Sequence, residues 1–326
     1  MSEAQSVEPR PLGRAELPLA GLSAAAAFSA LFLVPFFGVV GVPLAAVPAV
    51  RMAHRRGLAA GFAVCGLAGA IIFGLGWAAD GLGAGLALAF GAIGVTALPA
   101  ASVGFLRVGA EPSRCYAGLC VAGCALLAAG YVASLGGAGA SLSGEVSATF
   151  ERLIPAAVES YKHSGADADS VARLQQAFEQ ARQFATACLF GMLAALWVLG
   201  GAVAFYLGAA LARPGATADA ARFEALRVPA AGAGLFVAAG AAFGLLGGEG
   251  RRAAANVLLP LLALYFVGGL SIICHFFRRW FRVRLLRVGM YVLVSYFPLN
   301  LGVALLGLFD WYVDFRRRGE GVREKS

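Results

Sequence analysis

GLAAGFAVCGLAGAIIFGLGWAA (Gly57–Ala79) and GAGLALAFGAIGVTALPAASVGFL (Gly83–Leu106) decide the fold. Each run exceeds the roughly 20 apolar residues that carry a helix across about 30 Å of hydrocarbon. In lipid the backbone must satisfy its own polar groups, so each run reads as a helix. A β-barrel would show strands of about ten residues with alternating polarity, and none occurs. The same reading carried outward gives candidate spans at 17–37, 39–53 (short), 57–79, 83–106, 115–135, 184–212, 226–247, 253–277 and 286–309. The chain is therefore all-α by expectation, a polytopic membrane helix bundle of eight or nine apolar segments.

Composition excludes a soluble globule. The chain is 60% hydrophobic and 13% charged, whereas soluble domains carry about a quarter charged residues. Too little polar surface exists to cover a globule of this size, so the remainder faces lipid. A net charge of +8 in a soluble protein would point to nucleic acid. Here the arginines sit between apolar runs, where charge bias sets orientation, and no nucleic-acid partner is expected.

Residues 1–16 are polar and of mixed sign, and read as a cytoplasmic tail before a retained first span. Arg51, Arg55 and Arg56, then Arg107 and Arg114, then Arg213, Arg222 and Arg227, then Arg278, Arg279, Arg282, Arg284 and Arg287 would all lie inside. Only Arg251 and Arg252 interrupt the pattern between spans. Nine full crossings would put the basic tail 316–326, with Arg316, Arg317 and Arg318, outside. Either it is outside, or a segment fails to cross. Residues 39–53 are short, and the run 286–309 carries Pro298, which removes a backbone donor and clashes with the preceding turn.

Residues 138–183 form the one long polar insertion. Val146, Phe150, Leu153, Ala157 and Tyr161 recur at helical spacing, as do Val171, Leu174, Phe178, Ala181 and Ala185. These steps give two helices with one apolar stripe each, and Asp167 or Asp169 is placed to cap the second. The expectation is an extracytoplasmic helical hairpin whose second arm runs into the span at 184. It is either a packing element or a lid or docking surface.

No phosphate-binding loop or zinc helix motif is present, and no enzyme activity, cofactor or metal is expected. Cys65, Cys115, Cys120, Cys124, Cys188 and Cys274 fall in or beside apolar runs, and read as packing residues. His54, His163 and His275 are scattered. Polar groups inside spans are candidates for function, and the strongest are Asn256, Tyr265, Ser271, Tyr296 and Asn300. Asn256 and Asn300 either bond each other between helices or face a ligand cavity. Asp310 and Asp314 stand beside Arg316–Arg318 as ion-pair partners.

RFEALRVPAAGAGLF (Arg222–Phe236), NVLLPLLALYFVGGLSIICHFFRR (Asn256–Arg279) and LLGLFDWYVDFRRR (Leu305–Arg318) resemble the YybS-like family, bacterial membrane proteins of unknown function. VPLAAVPAVRMAHRRGLAAGF (Val42–Phe62) is similar to the S-components of energy-coupling-factor transporters. The resemblance places Pro48 at the start of a second helix, and Gly57 and Gly61 at the start of a third. It implies an S-component-like six-helix core over 17–212, C-terminal membrane helices over 213–315, and a ligand pocket open outward under the 37–43 loop and the helical hairpin. It further implies Ala26 and Ala30 as the face for a separate coupling subunit, with ATPase subunits supplying energy. A bacterial inner membrane, contact with membrane lipid and possible homo-oligomers complete the expectation. A membrane scaffold docking through the hairpin is the alternative.

Overall fold

A computed structural model describes residues 15–33, 35–136, 142–165, 167–212, 223–280, 284–294 and 298–316. Every regular element among them is helical. They are α1 (Glu16–Leu33), α2 (Pro35–Arg56), α3 (Leu58–Arg107), α4 (Pro112–Gly136), α5 (Leu142–His163) and α6 (Ala168–Ala187). Then come α7 (Leu189–Ala202), a π turn (Val203–Leu207), α8 (Gly208–Leu211), α9 (Ala231–Leu245), α10 (Gly248–Trp280), α11 (Arg284–Val294) and α12 (Leu299–Val313). Residues 1–14 and 317–326, most of the two expected tails, lie outside the described residues.

Among the described residues five stretches are long and apolar enough to cross a membrane: Leu58–Ala79, Leu88–Arg107, Pro112–Ala129, Leu189–Leu211 and Gly248–Trp280. Two shorter apolar helices, α9 and α12, accompany them. The chain divides into two compact units. The first holds Met1–Ala122, Trp197–Ala230 and Ala263–Ser326, and the second Gly123–Leu196 and Ala231–Leu262.

In the first unit α3 is two antiparallel arms. Gly81, at φ 82°, makes the reversal that an L side chain rarely permits. A Cβ on Gly76 would lie 2.9 Å from the Gly85 Cα, so the arms touch backbone to backbone. Small residues allow such approach where lipid gives helices no hydrophobic reason to associate. Ala24, Phe28, Ala45, Ala49, Val64, Ala68, Ala92 and Ala100 form one buried cluster between α1, α2 and both arms. At Gly57 (φ 103°) the chain turns from α2 into α3, and four residues on, Gly61 fits against Ala53 and the Ala49 carbonyl. The glycine pair thus has two separate jobs.

Glu16 pairs with Arg55 and Arg56. Arg107 donates to the Ala53 and His54 carbonyls at 2.9 and 3.2 Å. Ser113 accepts the Arg227 amide at 3.0 Å, and Arg278 meets Glu224 at 2.8 Å. Asp314 faces Arg227 at 3.3 Å. The start of α1 and the end of α12 therefore meet at one basic end of this unit.

Several expected boundaries move. Residues 37–43, expected as a loop, are helical within α2, so the short 39–53 run belongs to a helix of 22 residues. Pro48 lies inside α2 instead of opening it, and Pro35 stands first. The span expected at 226 starts at Ala231, because Pro229 disfavours helix in the residue before it. The run 286–309 is two short helices, with Pro298 immediately before α12.

In the second unit α5 and α6 pair as a hairpin. Val158 and Val171 are its buried apolar residues. Ile154 and Phe178 are half-buried, while Leu153 and Tyr161 of the expected stripe stay exposed. Arg182 ties the arms together through Ser147 at 2.8 Å and Glu151 at 3.7 Å. Its own neighbour Glu179, bonded by Arg182 and then by Gln183, is held below the usual glutamate range, at about 2. Cys188 separates α6 from α7 without ending the hydrogen-bonded path, since its amide donates to Phe184 and its carbonyl accepts from Met192.

Candidate functional site: a buried polar node at the C-terminal crossing

α12 crosses α10 with almost no space between backbones. A Cβ on Gly269 would fall on the Val303 carbonyl, and one on Gly307 on the Tyr265 carbonyl. Beyond α12, Asp314 adopts a left-handed conformation (φ 42°) while its amide caps the Asp310 carbonyl at 2.9 Å. Aspartate tolerates this region better than most L residues. The turn sends the chain back, and Arg316 re-enters the unit.

Arg316 is only 8% exposed. Its Nη1 donates to the Glu224 carbonyl at 2.8 Å, and its Nη2 to the Leu226 carbonyl and to Ser271 Oγ, both at 2.7 Å. Asp310 Oδ2 lies 3.7 Å away. The Leu226 carbonyl is free because Leu226–Pro229 are not helical, Pro229 disfavouring helix before it, and that of Glu224 belongs to a single 3-10 turn, Phe223–Ala225. A buried charge needs such partners, since desolvation costs several kcal/mol. Ser271 Oγ is itself 2.7 Å from the Gly268 carbonyl and 3.1 Å from that of Leu226.

The π turn brings a second group to this place. One residue more per turn shifts the register of the helix, and π turns recur at functional sites. It buries Tyr206, whose ring packs on Phe223 at 5.2 Å, Phe205 at 5.0 Å and Tyr116 at 5.8 Å. Phe223, on which Tyr206 packs, is the residue next to Glu224, whose carbonyl accepts from Arg316. Among the described residues three buried polar atoms here have no hydrogen-bond partner: Tyr206 Oη, Arg316 Nε and Asp310 Oδ1. Such atoms are rare in native structures and mark places where a further polar group belongs.

The five polar candidates are thus divided. Tyr265 and Ser271 are buried on α10, on either side of the crossing. Asn300 is in the first turn of α12, its Oδ1 buried and without a hydrogen-bond partner among the described residues. Tyr296 lies outside the described residues. Asn256 belongs to the second unit and does not bond Asn300. Its Oδ1 accepts from the Gly191 amide at 2.6 Å, and its Nδ2 donates to the Ala187 and Arg252 carbonyls, both at 2.9 Å. It clamps α10 onto the joint between α6 and α7. Ala26 is exposed on α1, and the side chain of Ala30 is outside the described residues. Asp310 meets Arg316, as expected of the acids, but Asp314 takes Arg227. Tyr206 escaped the sequence reading; its only signal was a phenol inside an apolar run. Among the described residues no three metal-ligating side chains gather.

An all-α fold with spans of membrane length defines a polytopic integral membrane protein. The chain belongs to the family described as "Predicted membrane protein (DUF2232)", which covers residues 22–311. No curated protein and no solved structure matches it.

Proposed function

We propose that this protein is a membrane-embedded binding subunit without chemistry of its own, holding a small polar ligand at the node around Arg316. The observation that carries this reading is the unmet hydrogen-bonding capacity of Tyr206 Oη, Arg316 Nε and Asp310 Oδ1. A ligand with one acceptor and one donor would meet the guanidinium and the carboxylate together. The likeness of residues 42–62 to S-components favours a transport role with separate coupling and ATPase subunits, the N-terminus lying in the cytoplasm. The six helical segments of 16–211 outside the hairpin are in keeping with it: α1, α2, the two arms of α3, α4, and α7 with α8.

The test is thermal unfolding of the purified protein against fractionated metabolites. Tyr206→Phe removes a hydroxyl that has no partner among the described residues, so it leaves the unliganded melting temperature unchanged or raised. The same change abolishes most of the ligand-dependent rise. A ligand-dependent rise that survives in Tyr206→Phe, or no rise with any fraction, defeats the reading. The transport role predicts co-purification with an ATPase pair and a coupling subunit, lost in Ala26→Phe.

A second reading, a scaffold that docks another membrane protein, is favoured by Leu153, Tyr161 and Phe184, exposed on the α5–α6 hairpin. Crosslinks running mainly from residues 146–182 to one other membrane protein would support it.

A further inference from the structure

A cavity of about 350 Å³ opens between the second arm of α3 and the first half of α4, wholly within the first unit. Its walls are apolar: Leu98, Ala101 and Phe105 from α3, and Gly118 and Leu119 from α4. Phe105 is 63% exposed at its side, so the cavity is open to whatever surrounds the helices. Its one charged lining residue is Arg114, in the first turn of α4 at the basic end. The lining runs along α4 from Arg114 to Ala122, a rise of about 12 Å.

We propose that this groove holds one acyl chain of an anionic phospholipid, with the lipid phosphate on Arg114. The inference is independent of the node and of the ligand proposed there. Three observations carry it. Apart from Arg114 the polar lining is Ser102, whose hydroxyl is donated to the Pro99 carbonyl at 2.6 Å, and Cys115, so the body of the occupant is hydrocarbon. The volume sits near the lower limit of ligand pockets, whereas a helix about 10 Å across would displace roughly 900 Å³ over the same length of about 12 Å; this excludes a partner helix and leaves a chain. The charge at the mouth is positive and available. Arg114 meets Glu111 at 3.5 Å, but both side chains are more than half exposed, at 83% and 55%. Such a pair is weak and screened, and a phosphate, with several oxygens for the planar guanidinium fork, displaces it. Basic pockets between membrane helices recognise anionic headgroups by this chemistry.

Gly118 makes the groove testable. A Cβ there would meet nothing within 4 Å, so a large side chain at this position grows into the groove and not into the fold. The experiment uses the full chain in mild detergent with equal phosphatidylglycerol and phosphatidylcholine of the same acyl chains, and counts retained lipids by native mass spectrometry. The wild type is expected to keep one phosphatidylglycerol, preferred over phosphatidylcholine by about fivefold. Arg114→Ala keeps a lipid but loses the preference, and Arg114→Lys keeps part of it. Gly118→Phe loses both lipids, and Ala122→Phe, entering from further along the groove, does the same should Gly118→Phe fail to fold. Arg251→Ala, in the other unit, changes nothing. A headgroup preference unchanged in Arg114→Ala overturns the proposal. So does lipid retained by a folded groove-filling variant, or a second protein chain retained in place of lipid.

Discussion

Two helix pairs in this chain are held by opposite means. α10 and α12 touch through Gly269 and Gly307, with carbonyls where side chains would stand. α5 and α6 are spaced by Val158 and Val171, with Arg182 reaching Ser147 and Glu151. In hydrocarbon an apolar side chain gains nothing by leaving its surroundings, so association rests on dispersion between closely fitted backbones. In water the apolar stripe is itself the driving force, and the ion pairs at its edge contribute little. The contrast teaches which substitutions each pair tolerates.

The largest effect is expected where no adjustment is possible. Gly269→Leu or Gly307→Leu puts a side chain onto partner backbone, costs about 3 kcal/mol or more, and is read as loss of folded protein in detergent titrations. Gly234→Ala and Gly240→Ala, whose Cβ atoms would meet nothing, should instead be neutral or stabilising by up to about 1 kcal/mol. Equal outcomes at the two sets of glycines would break the comparison.

Arg316→Met comes next. It strands Asp310 and the carbonyls of Glu224 and Leu226, for a loss of about 3 kcal/mol. Much of that loss returns in the double variant Arg316→Met with Asp310→Leu, and a strictly additive double variant would show that the two charges are not coupled. Asn256→Leu removes the clamp on the α6–α7 joint. A loss of about 1 kcal/mol should appear with faster hydrogen exchange at Cys188–Met192, and unchanged exchange there would deny the clamp.

The smallest effect belongs to the hairpin. Glu179 is held to about 2 by Arg182 and Gln183, so it binds protons less readily folded than unfolded. Its contribution is present above the usual carboxyl range and is lost as pH falls towards 2. Helical circular dichroism should report fraying of α6 only in that window. Arg182→Ala should abolish the pH dependence while leaving the arms paired at neutral pH.

The fold class was legible because span length and apolar content are properties of single segments. Gly57–Ala79 and Gly83–Leu106 needed no knowledge of neighbours. Boundaries governed by backbone chemistry were partly legible: Pro298 marked a break, but Pro229 also keeps Leu226–Val228 from joining α9. The site was less accessible. Ser271 and Tyr265 announced themselves as polar groups in apolar runs. Arg316 read as part of a tail, since its return depends on a left-handed aspartate two residues earlier. Tyr206 turns inward through a π turn, which has no sequence signature. Asn256 was singled out, but its partners are main-chain groups at Ala187 and Gly191, which side-chain pairing rules do not show.

The acids at the basic end have a consequence in time. While a chain enters the bilayer, arginines set its orientation and acidic residues contribute little. In the finished protein Glu16, Glu111, Glu224, Asp310 and Asp314 each face one of those arginines. These pairs offset at most five of the positive charges, and the chain as a whole stays at +8. A surface that keeps most of its charge attracts anionic lipid by its overall field as well as by particular sites, and Asp310 and Asp314 trim that field only when the C-terminal helix is in place.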